Sequence, residues 1–268
     1  VRLTDKFVGD IMGRLKEEGV LDDTVVLFMT DHGISHARGK QFLYDEGLHV
    51  PLVIAGPGIE PGQVRDDLVE HIDIAALSLG LAGIEIPGYM QARDILDSDY
   101  QTRNMIFAAR DRCDETVDYI RGLRTKRYKY IRNYMPHRPR MQYSTYSEQT
   151  PTRREFRRLA AEGRLRGPPE DFMSQTKAPE ELYDIQNDPH EIHNLAGSAE
   201  HAKTLARLRE AQSEWKQHSR ERGRRHDTTT NQRPETSPSP SEKLQEPGGA
   251  QLLCRLGPAA VAGDERDG

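Results

Sequence analysis

Residues 24–51, TVVLFMTDHGISHARGKQFLYDEGLHVP, hold the pattern on which the fold of this chain turns. The β-branched and apolar side chains at 25–29 run without alternation, the signature of a strand covered on both faces, as in a parallel sheet. The run stops at Asp31, His32 and Gly33. A Gly-Lys step follows at Gly39 and Lys40, then an acidic turn at Tyr44, Asp45, Glu46 and Gly47, then a second apolar run over 50–55. A strand that delivers a carboxylate and an imidazole from its C-terminal end, beside a glycine, supplies half of a metal site. The plainer alternative for the same residues is a helix cap at Asp31 with His32 on the surface.

Upstream, Phe7, Val8, Ile11, Met12 and Leu15 recur at helical spacing, with Thr4 and Asp5 placed to cap the helix and Gly19 to close it. Asp22 and Asp23 form a turn before the first strand. Downstream, Gly56, Pro57 and Gly58 end the second apolar run, and Asp73 is placed to cap a helix over 74–81 that stops at Gly83. Helix, strand, loop, strand and helix in this order predict an α/β arrangement.

Beyond residue 104 the texture changes to short β-rich pieces at 105–109, 116–123 and 127–133. Val117, Tyr119, Tyr128, Tyr130 and Tyr134 are interleaved with charges there, as in antiparallel strands with one face in water. Residues 136–180 are rich in Arg and Pro, carry a helical signal at 153–162, and read as a long excursion over the surface. A last short strand is expected at 182–185, a turn at Asp188 and Pro189, and a terminal helix with Leu205, Leu208, Ala211 and Trp215 on one face. The expected division is an α/β part over 1–104, a small second subdomain over 105–222 and a tail over 223–268. The tail is Thr, Pro, Ser, Gly and charge without apolar period, so it cannot offset its ordering entropy and is expected to be disordered, unless it reflects a reading-frame error in the gene model.

The 268 residues are 35% hydrophobic, enough for a real core, but a mean hydropathy of −0.79 says that part of the chain is not packed. A net charge of −5 with both signs interspersed gives no overall field for nucleic acid or a membrane surface. The basic pairs Arg153-Arg154 and Arg157-Arg158 each lie close to an acid and read as solvated helix faces. Cys113 and Cys254, far apart, give neither a disulfide framework nor a CxxC metal motif. No apolar run reaches the ~18 residues of a membrane span. The chain opens at Val1, without Met, directly in an amphipathic helix, so an upstream part is expected.

The stretch at 24–51 resembles the second half of a sulfatase of the alkaline phosphatase superfamily. The likeness extends from residue 1 to about 222. It includes Arg124, Thr125, Lys126, Arg127, Tyr128, Lys129 and Tyr130, similar to the sheet of the smaller sulfatase subdomain, and residues 181–196, similar to the family's Glu-Leu-Tyr-Asp ending. The wording is nearest to bacterial proteins that resemble heparan N-sulfatase. The resemblance implies a partial alkaline-phosphatase-like α/β sandwich followed by a small antiparallel subdomain with a C-terminal helix. It makes Asp31 and His32 ligands of a divalent cation and Lys40 the contact to a sulfate oxygen, against the alternative of a solvated loop lysine. His36 would touch substrate, against the alternative of a surface histidine, and His49 would orient the loop. Calcium is the family's usual ion, yet imidazole is an unusual partner for so hard a cation, which leaves magnesium, manganese and zinc open. The implied substrate is a sulfated small molecule or glycan, and the implied compartment is outside the cytoplasm. The family's formylglycine arises from the first residue of Cys/Ser-x-Pro-x-Arg, a motif absent from these 268 residues. Such a chain is expected to be inactive alone. A phosphatase or phosphodiesterase of the same superfamily, and a remnant without catalysis, are the rival readings.

Overall fold

In a computed structural model, which describes residues 2–219, the two apolar runs form strands β1 (Val26–Met29) and β2 (Leu52–Ala55). They pair antiparallel, Val26 opposite Ala55 and Met29 opposite Leu52, where a parallel, doubly covered arrangement was expected. Their side chains are only partly buried, and Val53 is 57% exposed. An unalternating apolar run carries no information on strand direction, and here it does not mark two covered faces either. The amphipathic segment before them is α1 (Arg2–Glu17), which begins ahead of the expected cap and leaves Asp5 in the first turn, where its carboxylate faces the positive end of the helix. Gly19, at φ 70°, closes the helix, with Val20 N donating to Leu15 O at 3.0 Å. Leu3, Phe7 and Ile11 on its apolar stripe are exposed.

A four-residue turn of helix, α2 (Asp45–Leu48), follows the loop after β1, and α3 (Asp73–Leu81) follows β2. Asp73 does not cap α3. Its fully buried carboxylate instead accepts two bonds from Arg103, at 2.6 and 2.7 Å, and one each from the amides of Glu70 and Arg93, so it ties the segment around 91–103 to the helix.

The second sheet is antiparallel throughout, in the order β3 (Ile106–Cys113), β4 (Thr116–Arg124), β5 (Tyr128–Asn133) and β6 (Glu180–Asp184). The expected solvent face is absent from its central strands. One face, with Leu123, Tyr130 and Leu182, packs on Leu205 and Leu208 of α6 (Ala202–His218), where Trp215 also stacks on Phe107 with ring centroids 4.8 Å apart. The other face, with Ile120, Ile131 and Tyr183, packs on Phe42, Leu43 and Tyr44 of the loop after β1. The interleaved charges misled because they are paired inside the protein. Lys129 is fully buried against Asp45, and Arg121 reaches Asp111 at 2.8 Å.

Residues 136–180 contain α4 (Pro151–Ala161) and α5 (Pro168–Phe172). They close over the sheet instead of wandering across the surface, since Met141 and Phe172 join the core formed with Phe42. The tail expected from 223 onward, with Cys254, lies outside the described residues.

Candidate functional site

The loop between β1 and α2 is locked by its own backbone. Gly33 N donates to Gly47 O at 3.0 Å, Lys40 N to Ile34 O at 2.9 Å and Phe42 N to Gly39 O at 3.0 Å. These strands of loop approach so closely that a Cβ on Gly33 would stand 1.8 Å from Glu46 O, and one on Gly39 2.0 Å from Ile34 O. Only glycine fits at either place.

The other two motif stretches clamp this loop from below. The guanidinium of Arg38 donates to the carbonyls of His190 and Glu191 at 2.5 and 2.6 Å and lies 3.7 Å over the ring of Tyr44. Tyr44 donates its hydroxyl to Glu181 at 2.7 Å. Asp45 takes Lys129 and Arg124 on its carboxylate, the latter at 3.0 Å, while its amide donates to Glu191 at 2.7 Å. Burial works against ionisation of Asp45, but the two cations outweigh it and hold the carboxyl below its usual range. Burial raises Glu191, with Lys129 at 3.5 Å opposing. Residues 124–130 and 181–196 therefore serve to hold the loop that presents the expected site residues.

Of these residues, Lys40 and His36 come together. With Ser35, Gln41, Tyr146 and, from the start of α4, Arg153, they line a groove of about 260 Å³. Lys40 Nζ lies 5.3 Å from the Tyr146 ring centroid, and Gln41 takes the left-handed φ of 79° that swings the chain from the groove into the core. His49 stands apart, exposed at the end of α2, with its amide bonded to Asp45 O.

Asp31 and His32 do not line the groove but do face each other. His32 Nδ1 lies 2.8 Å from Gly33 O, which places a proton on Nδ1, and Nε2 lies 3.3 Å from Asp31 Oδ2. Two unshared electron pairs at that distance repel unless a proton or a cation stands between them. The separation suits two ligands of one ion at about 2.3 Å each, so the pair fits a cation as far as it goes. No group of three or more His, Cys, Asp and Glu capable of holding a metal occurs among the described residues.

Tyr146 and Arg153 are groove residues that sequence alone did not read as part of a site. Arg153, expected on a solvated helix face, is instead 8% exposed. The Thr150-Pro151 helix start was a legible signal, but its place in the groove with Lys40 depends on the fold of 136–180.

Residues 1–84 match the family model described as Sulfatase. The chain covers part of the sulfatase fold. An ulvan-active sulfatase of Formosa agariphila is 36% identical over 213 residues, covering 79% of this chain and 36% of the relative. The N-sulphoglucosamine sulphohydrolase of Homo sapiens is 26% identical over 230 residues, covering 79% and 45%. A solved 2-O GAG sulfatase superposes with a TM-score of 0.60 at 22% identity, covering 81% of this chain and 41% of its own. The chain thus spans between 36% and 45% of the length of these proteins.

Proposed function

We propose that this chain is the C-terminal part of a sulfatase that hydrolyses sulfate esters or sulfamates of a sulfated carbohydrate. Residues 1–104 would belong to the catalytic α/β domain and 105–222 to its small subdomain. The observation that carries the reading is Lys40, held beside His36 on a glycine-locked loop that both other motif stretches clamp. The ammonium of Lys40 neutralises charge that grows on the sulfuryl oxygens as the bond to the leaving oxygen breaks, the main service a protein renders to such a transfer. His36 in the same groove offers a hydrogen bond to the substrate, and His49 orients the loop from outside the groove. Asp31 and His32 would hold a divalent cation, calcium first, which when bound polarises an oxygen at the reacting centre. The formylglycine nucleophile would come from outside these 268 residues.

The test is to assay the purified chain alone, then with the complementary N-terminal part of a sulfatase co-expressed. The expected result is no turnover of an aryl sulfate by the chain alone and turnover by the pair, reduced about 10²–10³-fold by Lys40→Ala. Turnover by the isolated chain, or a preference of the pair for phosphate monoesters, would overturn the reading.

A further inference from the structure

The groove that holds Lys40 is lined by a second cationic side chain. Arg153 is 8% exposed and lines the groove, yet its side chain makes no hydrogen bond or ion pair with any described residue. The carboxylate that would serve it, Glu148, is taken by Arg157 at 2.7 Å. Burial lowers the Arg153 guanidinium from its usual value, Glu148 opposes, and Arg110 and Arg157 add repulsion. The side chain is mostly covered while its guanidinium makes no bond to the protein, and the fold gains nothing visible from it.

The start of α4 points the same way. Thr150 does not cap the helix; its hydroxyl donates to Ser147 O at 2.7 Å, and Pro151 occupies the first turn. The amides of Thr152 and Arg153 therefore lack a side-chain cap, and they stand at the positive end of an eleven-residue helix whose opening residues line the groove. The Arg153 guanidinium and the start of α4 line the same groove as Lys40 and His36. A space of about 260 Å³ between them accepts a group the size of one sugar residue with its substituents.

We propose that Arg153 and the first turn of α4 bind a second anionic substituent, a sulfate or a carboxylate, on the glycan whose scissile sulfate meets Lys40. The substrate is then a polyanionic sugar, and a monosulfated one is poor; this assignment rests on the sulfatase proposal above. The anion supplies the partner that the guanidinium lacks in the protein itself.

The test uses the full chain and calorimetric titration with three probes: glucosamine N-sulfate, glucosamine 2-N,6-O-disulfate, and N-sulfoglucosamine linked to glucuronic acid. At least one doubly charged probe is expected to bind tenfold or more tighter than the monosulfate, and which one does so distinguishes sulfate from carboxylate. Arg153→Gln is expected to reduce that preference to less than twofold with monosulfate affinity unchanged, and Arg153→Lys to keep part of it. The thermal midpoint of ligand-free Arg153→Gln should equal or exceed that of the parent, which a structural arginine would not allow. A preference that survives Arg153→Gln, equal loss of all three probes, a lowered midpoint that Arg153→Lys restores, or no preference in the parent would each overturn the proposal. Lys40→Ala separates the two readings. It should weaken every probe alike, and if it leaves them unchanged while the Arg153-dependent preference persists, the anion site stands and the sulfatase assignment falls.

Discussion

Single residues in this chain are decided by who partners them, which is why several polar positions were misplaced by pattern alone. Lys129 sits between two hydrophobic neighbours in β5 and looks like the outward member of an alternating strand, yet it is fully buried between Asp45, Glu191 and the carbonyl of Leu43. Replacing it with Met leaves Glu191 without its near cation and Asp45 with Arg124 alone. Lys129→Met should cost about 3–5 kcal/mol, read from denaturant midpoints. Glu180 makes a pH prediction. Arg209 donates to it, joined by Tyr130 at 2.6 Å and Arg132 at 2.9 Å, and together they lower its carboxyl from 4.5 to about 2. A carboxyl depressed in the folded state adds stability above its unfolded value and loses it as pH falls through the folded one. Stability should therefore drop between about pH 4.5 and pH 2. Arg209→Gln should flatten that part of the curve in acid titrations followed by circular dichroism, and an unchanged slope would exclude this pair as its cause.

At the scale of elements, what was legible is what depends on local chemistry. The α1 stop at Gly19, the span of α3, the α6 face with Leu205 and Leu208, and the positions of all six strands to within a few residues follow from periodicity and turn residues. Strand direction and strand faces do not. The β1–β2 pairing depends on how the loop between them returns, and the burial of β4 and β5 on both faces depends on a loop 80 residues upstream in one case and a helix 80 downstream in the other. The loop was read as a candidate site from its Asp-His-Gly and Gly-Lys steps, and the structure shows both glycines at close approaches of its backbone. Gly39→Ala tests this: its Cβ would meet Ile34 O at 2.0 Å, so the loop must open, at a cost of about 1–3 kcal/mol. Hydrogen exchange should show the Lys40 amide, bonded to Ile34 O, losing protection while the amides of β4 and β5 keep theirs. Equal loss in both places would mean that the loop is not a separate unit of stability.

Across the molecule, three stretches that are remote in sequence meet at one place. Residues 31–49 present the candidate groups, and 124–130 and 181–196 supply the clamps beneath them. A motif read along the chain can identify the stretches but not their common purpose, because only packing brings Glu181 of β6 under Tyr44. That glutamate carries the connection: buried, it accepts Tyr44 at 2.7 Å, Tyr183 at 2.7 Å, Asn133 at 2.6 Å and Arg140 at 2.9 Å. The α6 side of the sheet uses none of these bonds; it is held by Leu123, Leu182 and Leu208. The two faces should therefore fail separately. Leu208→Ala, a fully buried side chain, should cost about 2–5 kcal/mol in global stability and leave sulfated-probe affinity of the folded fraction unchanged. Glu181→Ala takes the carboxylate from Arg140 and leaves the Tyr44 hydroxyl with Arg140 alone, so it should lower affinity for the sulfated probe as well as stability, with exchange protection lost first over residues 33–47. If Glu181→Ala weakened folding alone, the loop would be held in place by its own backbone and the clamps would have no part in presenting Lys40.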